Sequence, residues 1–303
     1  MIQRKYNLKY CCDDICIFPS RTLLNYDDES FKDSFGLTAV STYQLKTNQN
    51  TNVENEEQKK KGRIYFYRLA QNEENDDNGF EVNHILSYEK NVNIHSLCFA
   101  AFDKKPEKIC VTFSNGDVFL LSDQQLVKSW RAHDYHVWSC EFTEDENTII
   151  TGSDDCSLIM WDMRTSDICQ KNTRSHSQGV TDVKFEKLGQ LVYTACYDNM
   201  IRVFDIRNLQ KPVRTLDVES SIWRIKFLYK NNTMKKLLVA ACDGGAKVFK
   251  KINDDFIFEK GICNNKELTY GIDVIDVFDR EKKKKKKIYL SCSFYNKEVQ
   301  MWV

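Results

Sequence analysis

The run SDDCSLIMWD (residues 153–162) sets a polar turn residue, Asp155, six positions ahead of Trp161, which closes a strand-like stretch. The same phrase returns along the chain. Asp198 leads to Phe204 in YDNMIRVFD (197–205), Asp243 to Phe249, Asn296 to Trp302 and, more faintly, Asn115 to Leu121. The closing residues at 121, 161, 204, 249 and 302 are spaced by 40, 43, 45 and 53 positions. A period sustained at about 40–45 residues marks an array of like β units, each packing on its neighbours.

Within a period, apolar and polar residues alternate in short runs separated by turn residues, which is a strand signal. The third unit shows the plan. HVWSCEF (136–142), NTIITGS (147–153) and SLIMWD (157–162) are its first three strands, with Asp154 and Asp155 at the turn before the third. VTDVKFE, QLVYTAC and MIRVFD repeat it in the fourth unit, and IWRIKF, KLLVAAC and AKVFK in the fifth. ELTYGIDVIDV, KIYLSCS and EVQMWV make the sixth, NIHSLCF, KICVTFS and DVFLLS the second, and DICIFP, FGLTAVSTYQL and GRIYFYRL the first. With a fourth, outer strand per unit, this predicts an all-β WD-repeat β-propeller spanning 1–303 as one domain. Six blades are counted, and seven, the commoner number, stays open as the alternative. The chain stops at Val303, just after the third strand of the sixth unit, which would leave an open sheet edge. KYNLKYCC (5–12) is expected to supply the missing outer strand and close the ring.

Four inserts, at 47–62, 71–79, 231–236 and 280–287, are rich in Asn, Lys or Glu and are expected to be solvated loops. The 44 basic and 44 acidic side chains balance. That argues against nucleic acid as a partner, since such binding draws on a basic excess. Neither a signal-peptide run nor an apolar stretch long enough for a membrane helix is present, so a soluble, cytoplasmic protein without a membrane partner is expected. Most of the 12 cysteines fall in strand-like runs, where a thiol packs as a small hydrophobe. Cys11, Cys12 and Cys16 cluster without a second ligand pair at zinc spacing, so no metal and no cofactor is expected.

Two sets of side chains stand out. His133, Thr151, Asp155 and Trp161 fit a buried hydrogen-bonded set that holds a blade together, and His176, Thr194 and Asp198 fit it one unit later. Their structural reading outweighs a catalytic triad. The other set lines the mouth of the central channel. Strand alignment puts Trp138 and Trp223 at one level, and Asp14, Ser96, Ser139, Asp182, Arg224 and Asp273 at the next. Tyr197 and Tyr295 stand just before their turns, and Tyr270 precedes the sixth inner strand. Rings converging near carboxylates suit either a cage for a quaternary ammonium group or a protein-docking rim, and residue chemistry alone favours the rim.

SWRAHDYHVWSCEF, ITGSDDCSLIMWDMR, YTACYDNMIRVFDIRNLQKP, SSIWRIKF, LLVAACDGGAKVF, LTYGIDV and YLSCSFYNKEVQMW follow one another in an order that resembles the WD-repeat diphthine methyl ester hydrolases. STYQL, a charged insert and GRIYFY resemble that family's first blade. The most specific pieces are the Trp223–Lys226 run, Cys292-Ser293-Phe294-Tyr295, and Tyr270-Gly271 with Asp273. The resemblance implies hydrolysis of the methyl ester of methylated diphthine on translation elongation factor two, before the final amidation to diphthamide. It gives the rings at Trp138, Trp223 and Tyr270, with Tyr197 and Tyr295 beside them, a trimethylammonium group to bind. The long polar inserts depart from the family, and Ser96, Ser139 and Asp182 match none of its motifs.

Ester hydrolysis needs an activated nucleophile and a donor for the oxyanion. Arg224 or Lys226 is the expected donor, Arg224 being nearer the mouth, and Asp273 the expected general base. A covalent route through Ser293 or Cys292 stays open, as does a non-catalytic adaptor that displays a peptide partner on the propeller face.

Overall fold

The computed structural model describes residues 2–7, 36–41, 62–71, 80–90, 94–99, 108–122, 125–145, 147–186, 188–263, 268–279, 284–293, 295–296 and 298–303, with side-chain detail beginning at Lys108. Among these residues the chain is all-β and forms six antiparallel sheets. The first holds β2 (Gly36–Ser41), β3 (Gly62–Gln71) and β4 (Phe80–Lys90). The second holds β5 (Ile94–Phe99), β6 (Lys108–Phe113), β7 (Asp117–Ser122) and β8 (Gln125–Arg131). The third is β9 (Val137–Phe142), β10 (Thr148–Ser153), β11 (Leu158–Asp162) and β12 (Asp167–Asn172). The fourth is β13 (Val180–Glu186), β14 (Leu191–Cys196), β15 (Met200–Asp205) and β16 (Arg214–Asp217). The fifth is β17 (Arg224–Lys230), β18 (Thr233–Ala241), β19 (Gly245–Ile252) and β20 (Asp255–Ile262). In the sixth, β21 (Thr269–Asp279), β22 (Lys284–Ser293) and β23 (Glu298–Trp302) are joined by β1 (Ile2–Asn7).

Packing explains why the second strand of each unit reads as unbroken apolar sequence. In β10, Ile149 and Ile150 are both fully buried but point to opposite faces. Ile149 joins Val118, Leu120, Val137 and Trp161 between the second and third sheets. Ile150 joins Val183, Val192 and Phe204 between the third and fourth. The third, fourth and fifth sheets thus each feed two cores, and burying either isoleucine contributes roughly 1.5–3 kcal/mol. The leading strands β5, β9, β13, β17 and β21 each touch the next in turn.

The N-terminal strand pairs antiparallel with β23, Ile2 opposite Trp302 and Asn7 opposite Glu298. The pairing uses residues 2–7, and the rest of the expected segment, 8–12, lies outside the described residues. So do the strand expected at DICIFP, the Cys11–Cys16 cluster, Asp14, and residues 47–61 and 72–79 of the first two inserts.

Two inserts differ from expectation. Of residues 231–236, only Asn231 and Asn232 turn, at φ 52° and 58°, and Thr233–Lys236 already belong to β18. Two consecutive left-handed residues make the tight turn whose twist suits a hairpin. In the lysine run, Lys284–Lys287 extend β22 opposite Asp276–Asp279. A homopolymer shows no alternation to read, but the cross-strand partner supplies the ladder, and Lys287 pairs with Asp276 at 2.7 Å.

Candidate functional site

The inner strands open on a β-bulge that sets the geometry of the channel mouth. In β9 the register steps from Val137 opposite Ser153 to Ser139 opposite Gly152, leaving Trp138 unpaired in the ladder. Thr181 is skipped in the same way in β13, and Tyr270 in β21. In the fifth sheet the ladder starts at Arg224 opposite Ala240, and the Trp223 N–H still donates to the Ala240 carbonyl. A bulge re-aims the side chain it carries. Trp138, Thr181, Trp223 and Tyr270 are therefore equivalent positions, followed one residue on by Ser139, Asp182, Arg224 and Gly271, and two further by Glu141, Lys184, Lys226 and Asp273.

This corrects two expectations. Tyr270 lies within the sixth inner strand, not before it, and Asp273 sits two residues deeper than Arg224, level with Lys226. A shift of two residues along a strand keeps each side chain on the same face, so plain alternation does not register it. Contacts agree with the new register: Trp223 stacks on Tyr270 at 4.7 Å, and Lys226 Nζ lies 3.4 Å from the Asp273 carboxylate.

Trp223 is the hub of the mouth. Only 5% of it is exposed, and it meets Trp138 edge-on at 5.1 Å, Tyr197 at 5.8 Å and Tyr270 face to face. Tyr295, largely exposed, follows at 6.4 Å from Tyr270. All five aromatic residues picked out in the sequence therefore form one connected cluster. Burial, with neighbouring thiol, phenol and carboxylate groups, pushes the Tyr197 phenol well above the usual tyrosine range.

Beneath the rings, Asp182 ties three sheets together. Its carboxylate accepts from Ser139 Oγ at 2.8 Å, the Val183 N–H at 3.0 Å and the Ile225 N–H at 2.9 Å. Ser139 Oγ also accepts from the Val183 N–H, so its hydroxyl is held in the scaffold. The Arg224 guanidinium lies 5.0 Å over the Trp223 ring and donates from Nη1 to the Thr181 carbonyl. At 8% exposure it is a buried tie rather than a group extended into the channel.

The third level carries opposite charges on four consecutive sheets. Lys184 Nζ stands 3.5 Å from Glu141 and 3.4 Å from Asp182, and the Lys226–Asp273 pair follows one sheet on. The Val274 N–H donates to the other Asp273 oxygen at 2.8 Å. Burial pushes the Glu141 carboxyl up to about 7, a rise that the neighbouring Lys184 only partly offsets. Although 29% of its side-chain surface meets water, protein crowds the carboxyl group itself. Sequence reasoning passed over Glu141. The signal was there: in VWSCEF it lies two residues past Ser139 and so shares its face.

The hydrogen-bonded sets meet differently in the two blades. His133 reaches Thr151 Oγ1 through Nε2 at 2.8 Å and Asp155 through Nδ1 at 2.9 Å, and Trp161 Nε1 donates to Thr151 Oγ1 at 2.9 Å. Burial raises the Asp155 carboxyl, but hydrogen bonds from His133 and Ser157 outweigh it and hold the group well below the usual range. His176 keeps its bond to Thr194 at 2.9 Å but not one to Asp198, and its Nδ1 has no hydrogen-bond partner. Arg202 holds Asp198 instead. Of the alternative nucleophiles, Cys292 and Ser293 are both buried in β22, and Ser293 Oγ has no hydrogen-bond partner, so no base is poised on it. Among the described residues no His, Cys, Asp and Glu group could hold a metal ion, and no helix is long and apolar enough to cross a membrane.

Known proteins bear on these observations. The family model "WD domain, G-beta repeat" matches residues 124–162 and 168–205. A diphthine methyltransferase homolog from Dictyostelium discoideum is 30% identical over 230 residues, covering 67% of this chain and 61% of that protein. A diphthine methyltransferase from Schizosaccharomyces pombe is 27% identical over 209 residues, covering 66% of this chain and 62% of that protein. The chain thus spans less than two thirds of the length of these relatives. The crystal structure of the WD40 β-propeller domain of Doa1 superposes with a TM-score of 0.55 at 15% identity, over 80% of this chain and 74% of that one, which speaks for the fold alone. By sequence and fold together, the chain is a WD-repeat protein related to the diphthine methyltransferases.

Proposed function

We propose that the chain, as a single six-bladed ring closed by its N-terminal strand, hydrolyses the methyl ester of methylated diphthine on translation elongation factor two. The observation that carries this reading is the stacking of two layers in one channel: an aromatic mouth centred on Trp223 over a level of two carboxylates and two lysines. The relatives' names place those proteins at diphthine and its methylation. A methyl ester is a neutral, compact group that can pass a ring of aromatic side chains, and its hydrolysis needs a base and an oxyanion donor below them.

In this reading Trp138, Tyr197, Trp223, Tyr270 and Tyr295 receive the modified side chain. Glu141 takes a proton from water as the water oxygen bonds to the ester carbonyl carbon, sharing with Asp273 the role of base. Its pKa of about 7 suits that work better than an ordinary carboxyl, because it matches the pH at which the proton must move. Lys226 faces the developing oxyanion, taking over from Arg224, whose Nη1 is engaged with the Thr181 carbonyl. The bond to the methoxy oxygen then breaks, and the proton held by Glu141 leaves with methanol.

The test is to incubate the purified full chain with methyl-esterified, diphthine-bearing elongation factor and follow the modified peptide by mass spectrometry. Loss of one methylene unit with release of methanol is expected. Stable binding of the factor without loss of mass would make the chain an adaptor that docks a protein partner at the same mouth.

A further inference from the structure

We propose that Lys184 is the positioning residue of Glu141, tying its carboxylate to the fixed Asp182 and leaving one carboxylate oxygen to the channel. The proposal deepens the foregoing reading and rests on it only for the reaction that Glu141 serves. Its basis is a lysine shared between two carboxylates, one locked in the scaffold and the other tethered by that lysine.

Glu141 stands at the third level of β9, with part of its side chain open to water. Among the described residues its one side-chain hydrogen bond is to Lys184, whose Nζ lies 3.5 Å from Oε2. That bond engages one oxygen and leaves Oε1 for water. A water reaching Oε1 meets a base already held in place, which is what proton transfer asks of geometry.

The far end of the tether is fixed. Asp182 comes two residues before Lys184 in β13 and so shares its face, with the ammonium 3.4 Å from its carboxylate. Hydrogen bonds from Ser139, Val183 and Ile225 bind that carboxylate to three sheets, and only 1% of the residue is exposed. Lys184 therefore has one anchored partner and one that can titrate. When Glu141 takes a proton, Lys184 loses attraction on that side alone and stays on Asp182 instead of swinging into the channel.

The second lysine at this level is built differently. Two residues before Lys226 stands Arg224, a cation, where β13 carries Asp182. Lys226 meets Asp273 across the sheets but has no carboxylate two residues back on its own strand, which suits it to the oxyanion and Lys184 to the tether. The charges that reach Glu141 are those of Lys184 and Asp182 on β13 and of the Cys140 thiol on β9, and the Tyr229 phenol of β17 feels Glu141 in turn. The side chains of β5, which packs on the other side of β9, lie outside the described residues. Asp182 and Cys140 favour the protonated acid and Lys184 favours the carboxylate, so the lysine also helps to set the pH at which the base is free.

The test begins with the intact chain, isotope-labelled at its glutamate carboxyl carbons and titrated by NMR without any ester. The Glu141 resonance is the one lost in Glu141→Gln, and in wild type it should titrate at about pH 7. Lys184→Met should move that midpoint up by about one pH unit, the low end for a lost opposite charge because water reaches both side chains. Lys184→Gln, an uncharged donor, should move it likewise and decides the matter if the methionine variant does not fold. Lys184→Arg keeps the charge and should bring the midpoint most of the way back. Hydrolysis of the methyl ester is then followed against pH. At neutral pH the rate in K184M should fall about fivefold, as the ionised fraction drops from about a half to about a tenth, and should approach wild type by about pH 9 with KM unchanged. An unshifted midpoint in folded K184M or K184Q overturns the proposal, as does a rate loss that is equal at every pH. A shifted midpoint in a chain that leaves the ester intact would sink the hydrolase reading and leave the tether standing; hydrolysis with an unshifted midpoint would do the opposite.

Discussion

Arg202 grips the Asp198 carboxylate with both Nη atoms, at 2.9 and 2.8 Å, where the preceding blade gives the equivalent carboxylate, Asp155, to His133. Arg202 stands at the place of Ile159 in that blade, one residue across the ladder from Thr194 as Ile159 is from Thr151. One substitution in a repeat thus rewires its polar core. It leaves His176 buried beside a guanidinium, and burial, helped by Arg202, pulls its pKa down to about 4.

His176 should make the fold sensitive to mild acid. Its folded pKa lies below the ordinary 6.5, so the unfolded chain binds the extra proton and stability falls as pH drops from about 6.5 to 4. The contribution should be about 1–3 kcal/mol over that window. Urea melts of wild type and His176→Gln at pH 7 and pH 4.5 check this. Parallel losses in the two proteins would remove His176 as the cause. Asp155 and Asp198, both held low, lose their contribution only below the ordinary carboxylate range.

Arg202→Met takes the guanidinium from a carboxylate whose side chain is only 7% exposed and leaves it the Ser177 and Met200 N–H groups and the Ser177 hydroxyl, so it should destabilise the fold by about 1.5–3 kcal/mol. The double variant with Asp198→Asn should recover part of that loss, because it removes a buried charge left without its counter-charge. Additive losses in the double variant would show that the two residues act independently.

Replacing His133 by Ala removes one partner each from Thr151 and Asp155 and should cost about 1–3 kcal/mol. Turnover per folded molecule should be unchanged. Abolished turnover with an unaltered melting temperature would make His133 part of the chemistry.

Glu141 gives opposite expectations for stability and for rate. Its folded pKa lies above the ordinary 4.5, so wild type loses stability as pH rises from 4.5 through about 7, and Glu141→Gln should not. With part of the side chain open to water, about 1 kcal/mol is expected at pH 8. Ester hydrolysis should meanwhile drop by roughly 10²–10⁴ in E141Q, with loss of the rise in rate near pH 7. An unaltered pH–rate profile would return the base to Asp273 alone.

The leading three strands of the second to sixth units were legible because apolar periodicity reports burial directly. The five aromatic residues were legible too, since two stand beside turns and three at the entry of inner strands. Depth along the channel was not. A slip of two residues leaves the alternation intact, so Asp273 read as level with Arg224 when it is level with Lys226. The fate of Asp198 was hidden for a different reason. Arg202 sits at a position that is apolar in the neighbouring repeat, and nothing local tells an outward arginine from one folded back on the turn. Lys284–Lys287 were misread as loop because composition spoke for solvent while their strand partner, Asp276–Asp279, spoke for a ladder.

The pairing of Ile2–Asn7 with Glu298–Trp302 has a consequence for biosynthesis. The ribosome makes one strand of this pair nearly three hundred residues before the other. At cellular rates of elongation that is a wait of roughly fifteen seconds to a minute. Through that interval the early strand has its backbone donors and acceptors unmatched, and the later sheets are added to an assembly whose two ends have not met. Docking this pair closes a very long loop, and such long-range contacts form slowly. The waiting strand reads Ile-Gln-Arg-Lys-Tyr-Asn, with two cations and three other polar side chains in six residues. Such a strand is a poor template for premature association with another nascent chain, so it can stay unpaired until its own partner emerges.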